Sequence, residues 1–195
     1  MRRIGITGSI ATGKSNVLKA FADLRVPAIS ADQIVAELYA GEAVKPVEAL
    51  FPGVTVSGAI DRSLLSKRLA DDPSGFKRLE AVVHPLVRDR IADFLANAER
   101  AGHALAVVEV PLLFESGRDY GFDAIAVTWV DETEQRRRAL KRPGMDVDKY
   151  QTILARQMPQ ADKKARADYL FDTSGTIEAT RDKVAALVAQ LRAQG

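Results

Sequence analysis

Cysteine is absent from the 195-residue chain, which excludes disulfides and thiolate metal sites and suits a reducing compartment. Histidine is scarce: His84 and His103 stand well apart, which argues against a zinc ion held by protein ligands. Charge of one sign is not in excess. A net charge of +2 carries no polyelectrolyte signature, so no nucleic-acid partner is expected. The densest basic run, Arg136, Arg137 and Arg138, shares a predicted helix with Glu132 and Glu134 and reads by default as a solvated helix face. No apolar run is long enough to span a membrane, and behind Arg2 and Arg3 the residues Gly5, Thr7, Gly8 and Ser9 interrupt any signal-like core. The expectation is a cytoplasmic protein with no membrane partner.

Directly behind the first apolar segment stands Gly8-Ser9-Ile10-Ala11-Thr12-Gly13-Lys14-Ser15, which fits the pattern G-x-x-x-x-G-K-[ST]. In such a loop backbone N–H groups close around phosphate oxygens, the lysine reaches the β- and γ-phosphates, and the Ser15 hydroxyl ligates Mg²⁺. The competing reading is an ordinary glycine turn between a strand and a helix. Context favours the phosphate loop, because Arg3 to Thr7 reads as a strand and Val17, Leu18, Phe21 and Leu24 recur at helical spacing. The helix is expected to begin at Lys14 or Ser15, with its free N–H groups and positive dipole end toward bound phosphate.

Buried strands are predicted at Arg3 to Thr7, Val26 to Ser30, Leu105 to Val110, Ala124 to Val130 and Tyr169 to Phe171, with helical patterns between them. Strands alternating with helices imply an α/β fold, a parallel sheet covered on both faces, with ligands beyond the carboxyl ends of the strands. The stretch from Gln33 to Ala101 is mainly helical, with turn signals at Gly41, Pro46, Pro52-Gly53, Gly58 and Asp72-Pro73 and no convincing central strand. A second stretch, Glu132 to Ala165, is highly charged, is broken at Pro143-Gly144 and Pro159, and reads as a mobile lid. The last helix, about Ile177 to Arg192, sets Val184, Leu187, Val188 and Leu191 on one stripe. The expected division is therefore a single domain, with core segments 1–32, 104–131 and 166–195, a helical insertion at 33–103 and a lid at 132–165.

Several residues at strand ends could carry chemistry. Asp32 follows the second strand, where a carboxylate accepts a proton from an attacking hydroxyl or holds Mg²⁺ through water; it is equally suited to cap the helix beginning at Gln33. Glu109 closes the third strand, either supporting Mg²⁺ through water or simply ending the strand. Arg138 and Arg142 share a face if the helix continues, and guanidinium groups there suit a transferring phosphoryl group; Arg156 and Lys163 are further candidates. For each of these cations the alternative is a solvated surface charge. His84, between apolar neighbours and before Pro85, reads as a packing residue or as a substrate contact.

Taken in order along the chain, Gly5 through Ser15, Ala31-Asp32, Asp61-Arg62, Leu79 through Arg88, Val110-Pro111-Leu112-Leu113-Phe114-Glu115, Gln135 with Arg138 and Arg142, Gln157-Met158 and Asp172-Thr173-Ser174-Gly175 resemble the dephospho-coenzyme A kinases. The His-Pro segment combined with Pro-Leu-Leu-Phe-Glu is the most specific part. The resemblance implies a P-loop kinase fold: a five-stranded parallel core, a helical coenzyme-binding subdomain and a lid. It further implies transfer of the ATP γ-phosphoryl group to the ribose 3′-hydroxyl of 3′-dephospho-coenzyme A, the last step of coenzyme A synthesis, with Mg²⁺ as cofactor.

By the same resemblance Asp32 is the general base, and Gly8, Ala11, Thr12, Gly13, Lys14, Ser15 and Asn16 bind the nucleotide. Arg138 and Arg142 act from the lid, Gly175 lies near the adenine, and Arg62, His84, Arg88 and the segment Pro111 to Glu115 line the acceptor site along with Asp32. ATP and the acceptor are the implied partners; nothing in the sequence marks an interface, and a monomer is expected. The sequence departs from the family pattern at Ser9 and Ala11, which replace glycines of the phosphate loop, and at Ser30, Glu109 and Thr173. If Ala11 takes positive φ, strain of roughly 1 kcal/mol is expected. The nearest rival is a kinase of this fold acting on a nucleotide, gluconate or shikimate. A GTP-dependent switch would need a guanine-reading Asn/Thr-Lys-x-Asp motif, and none occurs.

Overall fold

A computed structural model describes residues 1–193. In chain order, β1 (Arg2–Gly8) leads to α1 (Lys14–Asp23) and β2 (Ala28–Ser30). There follow α2 (Ala31–Tyr39), α3 (Val44–Leu50), β3 (Thr55–Val56), β4 (Ala59–Ile60), α4 (Arg62–Asp71) and α5 (Gly75–Arg100). Next come β5 (Leu105–Glu109), α6 (Leu113–Ser116), β6 (Ala124–Trp129), α7 (Glu132–Leu140), α8 (Val147–Ala155), α9 (Gln160–Ala165), β7 (Tyr169–Asp172) and α10 (Ile177–Ala193). The chain divides into two compact units, residues 1–30 with 95 onward, and residues 31–94.

The larger unit is built on a five-stranded sheet in the order β2-β5-β1-β6-β7, every pair parallel. All five predicted strands are present, within two residues at each end. β2 begins only at Ala28, since Pro27 has no N–H to give to a ladder; its carbonyl still accepts from Val107 N at 2.9 Å. The period-2 pleat of β1 sends Ile4 and Ile6 to one face, where they are buried with Val17 and Phe21 of α1 and Val184 and Val188 of α10. Phe21 meets Phe171 of β7 edge to face, ring centres 6.1 Å apart. Each such aliphatic or aromatic side chain contributes about 1.5–3 kcal/mol by leaving water. Gly5 faces the other way, and a Cβ there would stand 2.5 Å from the ring of Phe122. The stripe predicted for the last helix is buried throughout: Val184, Leu187, Val188 and Leu191.

The smaller unit is helical, with one element the sequence does not announce. β3 and β4 form an antiparallel hairpin in which Val56 pairs with Ala59. Its turn residues, Ser57 and Gly58, both have positive φ (50° and 82°), the geometry of a two-residue hairpin turn. Gly58 signals the turn, but strands of two residues are too short to show alternation. Glu48 closes the approach to this hairpin, accepting from Gly53 N at 2.7 Å and from Thr55 Oγ1 at 2.6 Å. Asp61 caps α4, accepting from Ser63 N and Leu64 N. Asp32 does not cap: α2 begins at Ala31, so its carboxylate sits inside the first turn, where the helix dipole favours negative charge.

Candidate functional site

The phosphate loop runs from the end of β1 to the start of α1, which begins at Lys14. Gly13 is the N-cap residue and is left-handed, φ 84°. An L side chain there would be strained, and its Cβ would lie 3.0 Å from Thr173 Oγ1, so glycine is required twice over. No side chain among the described residues caps α1 and its first turn holds no acid, which leaves the helix end suited to an anion. Lys14 Nζ lies back across the loop, donating to the carbonyls of Gly8 and Ser9, each at 3.0 Å. Ser15 and Asn16 are exposed, whereas Thr12 is buried, its hydroxyl donating to Ser9 O at 2.8 Å and paired with Thr128 Oγ1 at 2.7 Å.

Ala11 has φ 62°, so the strain expected of a non-glycine residue at this position is present, at roughly 1 kcal/mol. Its methyl group is buried with Ile10, Ala139 and Tyr150. Thr173, a departure from the family pattern, is buried against the loop and donates its hydroxyl to Thr12 O at 3.0 Å.

Of Arg138 and Arg142, only the first stands on a helix. Arg138 lies on α7 and is engaged: Nε donates to Glu134 at 2.7 Å, and Nη1 and Nη2 donate to the hydroxyl and carbonyl of Thr173 at 3.1 and 2.8 Å. Arg137 and Arg138 together hold the Glu134 carboxyl down to about 2. Arg142, by contrast, is past the end of α7, which stops at Leu140 with Lys141 as its cap. The helix on which the two would share a face therefore does not extend to Arg142. Pro143 is the physical reason, since it biases the residue before it away from the helical region. Lys163 is not a solvated cation either. It is fully buried, in an ion pair with Glu115 Oε1 at 2.8 Å.

The segment expected to line an acceptor site separates into distinct roles. Pro111 accepts from the Thr7 hydroxyl at 3.2 Å, Leu112 is exposed, Leu113 is buried in the core, and Arg166 stands over the ring of Phe114. Glu115 accepts from Met158 N at 2.8 Å. Burial pushes its carboxyl up, but Lys163 and the Met158 N–H outweigh that and hold it below the usual carboxylate range. Glu109 ends β5, buried, opposite Ile6 of β1 and Ser30 of β2. Gly175 lies in the exposed bend between β7 and α10.

In the smaller unit Arg62 is the first residue of α4 and its guanidinium lies 5.6 Å from the centre of the Tyr39 ring. His84 and Arg88 lie one turn apart on α5, and so on one face. The Nδ1 atom of His84 is buried without a hydrogen-bond partner. Pro85 lies inside the same helix and has no N–H for the Ala81 carbonyl. Gln135 and Gln157 enter the sequence reading only among the family-like stretches, with no role, and Gln160 not at all, yet their side chains reach the phosphate loop and the end of β6.

The chain is similar over nearly its whole length to known proteins. The family model described as dephospho-CoA kinase, CoaE, matches residues 2–179. A dephospho-CoA kinase of Rhizobium etli is 48% identical over 192 residues, covering 98% of this chain and 95% of the relative. Among solved structures, TT1252 from Thermus thermophilus superposes with a TM-score of 0.81 at 31% identity, covering 97% of each chain. A dephospho-CoA kinase from Campylobacter jejuni, at 20% identity, shares the fold with a TM-score of 0.69 over 97% of each chain. The chain belongs to the dephospho-CoA kinase family.

Proposed function

We infer that this protein transfers the γ-phosphoryl group of ATP to the ribose 3′-hydroxyl of 3′-dephospho-coenzyme A, releasing ADP and coenzyme A, the last step of coenzyme A synthesis. The observation that carries this reading is a phosphate loop seated at the uncapped N-terminus of α1, in a chain similar over nearly its whole length to dephospho-CoA kinases. Ser15 and Glu109 supply hard oxygen donors of the kind Mg²⁺ takes, Glu109 through water. Bound there, the ion would neutralise charge on the β- and γ-phosphates. Gly8, Ala11, Thr12, Gly13, Lys14 and Asn16 hold the triphosphate, and Lys14 leaves the Gly8 and Ser9 carbonyls for phosphate oxygens.

Asp32 is the general base. It takes the proton of the 3′-hydroxyl as that oxygen bonds to the γ-phosphorus and the bond to the β-phosphate oxygen breaks. Its place two residues beyond β2 supports this, because ligands of parallel sheets lie past the strands' carboxyl ends. Arg138 and Arg142 stabilise the charge on the transferred group, Gly175 lies by the adenine, and Arg62, His84, Arg88 and Pro111 to Glu115 receive the acceptor. Among the described residues no helix is long and apolar enough to cross a membrane. The reading makes the protein a cytoplasmic monomer with small-molecule partners; a solution mass near twice 21.2 kDa would overturn the monomer.

The test is an acceptor screen. The protein is incubated with Mg²⁺ and ATP and with dephospho-coenzyme A, gluconate, shikimate or a nucleoside monophosphate, and ADP release is followed. Turnover with dephospho-coenzyme A is expected, and its absence would sink the reading.

A further inference from the structure

The phosphate loop is gripped at both main-chain polar groups of one residue. Ile10 N donates to Gln157 Oε1 at 3.0 Å, and Gln135 Nε2 donates to the Ile10 carbonyl at 2.9 Å. The two amide orientations follow from their partners, since an N–H needs an acceptor and a carbonyl needs a donor. Gln135 is buried, and its own carbonyl accepts from Gln160 Nε2 at 2.9 Å. Gln160 Nε2 in turn donates to Val130 O at 3.1 Å, just beyond β6. The grip is thus braced against the sheet. Around it Ile10 and Ala11 pack with Ala139 and Tyr150 of α7 and α8.

The loop has reason to need outside support. Ala11 holds a left-handed conformation that is unfavourable for alanine, and such strain persists only where the surroundings over-determine it. A hydrogen bond lost from a buried main-chain group leaves that group's desolvation uncompensated. We propose that Gln135 and Gln157 are positioning residues for the phosphate loop: by fixing Ile10 they hold the loop in the conformation that receives the nucleotide's phosphates, and they set nucleotide affinity without touching the nucleotide. The proposal rests on the reading that this loop binds ATP.

Two measurements that need no turnover test it. One is the affinity for ADP against that for dephospho-coenzyme A, by calorimetry. The other is hydrogen exchange of the Ile10 amide in nucleotide-free protein. Gln157→Leu is expected to weaken ADP binding about tenfold, to change dephospho-coenzyme A binding by less than about twofold, and to speed Ile10 exchange about tenfold. Gln157→Glu, which keeps an acceptor for the Ile10 N–H, is expected to keep that amide protected. Unchanged Ile10 exchange in Gln157→Leu, or equal weakening of both ligands, overturns the proposal. Should Gln157→Leu not fold, loss of Ile10 protection in folded Gln157→Glu overturns it instead. A wild-type protein that binds ADP but does not phosphorylate dephospho-coenzyme A would overturn only the functional reading, because neither measurement requires the reaction.

Discussion

Thr173 is hydrogen-bonded to the main chain of Thr12, its hydroxyl donating to the Thr12 carbonyl at 3.0 Å. The same oxygen accepts from Arg138 Nη1 at 3.1 Å, so one buried side chain joins the phosphate loop, the end of β7 and helix α7. Thr173→Val keeps the shape and deletes both bonds. It is expected to cost about 1–2 kcal/mol and lower the melting temperature by about 3–6 °C, read by calorimetry. A melting temperature within experimental error of the parent would show that the hydroxyl holds nothing.

The buried pair of Lys163 and Glu115 makes stability depend on pH with a definite sign. Glu115 is held below its ordinary 4.5 in the folded protein, by Lys163 and the Met158 N–H against the effect of burial. The stability it contributes is therefore present above the unfolded value and is lost as pH falls through the lower folded value. Lys163→Met leaves a buried carboxylate without its cation and is expected to cost about 3 kcal/mol at neutral pH. In that variant burial raises the Glu115 carboxyl, so acidification from pH 7 to 5 should recover stability where the parent recovers none. Denaturant titrations at the two pH values decide it.

Gly5 is required by a neighbour far along the chain. A methyl group at this position would meet the Phe122 ring at 2.5 Å, and Gly5→Ala is expected to destabilise by about 1–3 kcal/mol. Adding Phe122→Leu should return part of that loss, a coupling that a double-mutant cycle measures directly. Additive effects would place the cost of Gly5→Ala elsewhere.

Asp32→Asn tests the proposed base. Turnover should fall by about 10²- to 10⁴-fold while ADP binding stays close to that of the parent. Full activity would remove Asp32 from the role.

Local pattern made much of this fold legible. The five sheet strands and the start of α1 at Lys14 follow from short apolar runs, helical spacing and the glycines before Lys14, each a signal carried within a dozen residues. The hairpin of Thr55 to Ile60 was not legible, because two-residue strands have no period to read. Arg142 misled for a related reason: helical spacing from Arg138 presumed a helix that Pro143 ends early. Ala11 was legible as a source of strain, and the observed φ of 62° makes it one.

What the sequence determined by itself is the class of the protein: the order of its elements, the phosphate loop at the head of a helix, and the family its motifs resemble. All of these rest on residues close together along the chain, where backbone geometry and spacing act directly. Tertiary structure decided the partners. Lys163, one of several cations in a charged stretch, became the buried counter-ion of Glu115, and Gln135 reached the main chain of Ile10 across 125 positions of sequence. Burial and hydrogen-bond satisfaction are properties of the assembled packing, so no local signal distinguishes such a lysine or glutamine from a solvated one.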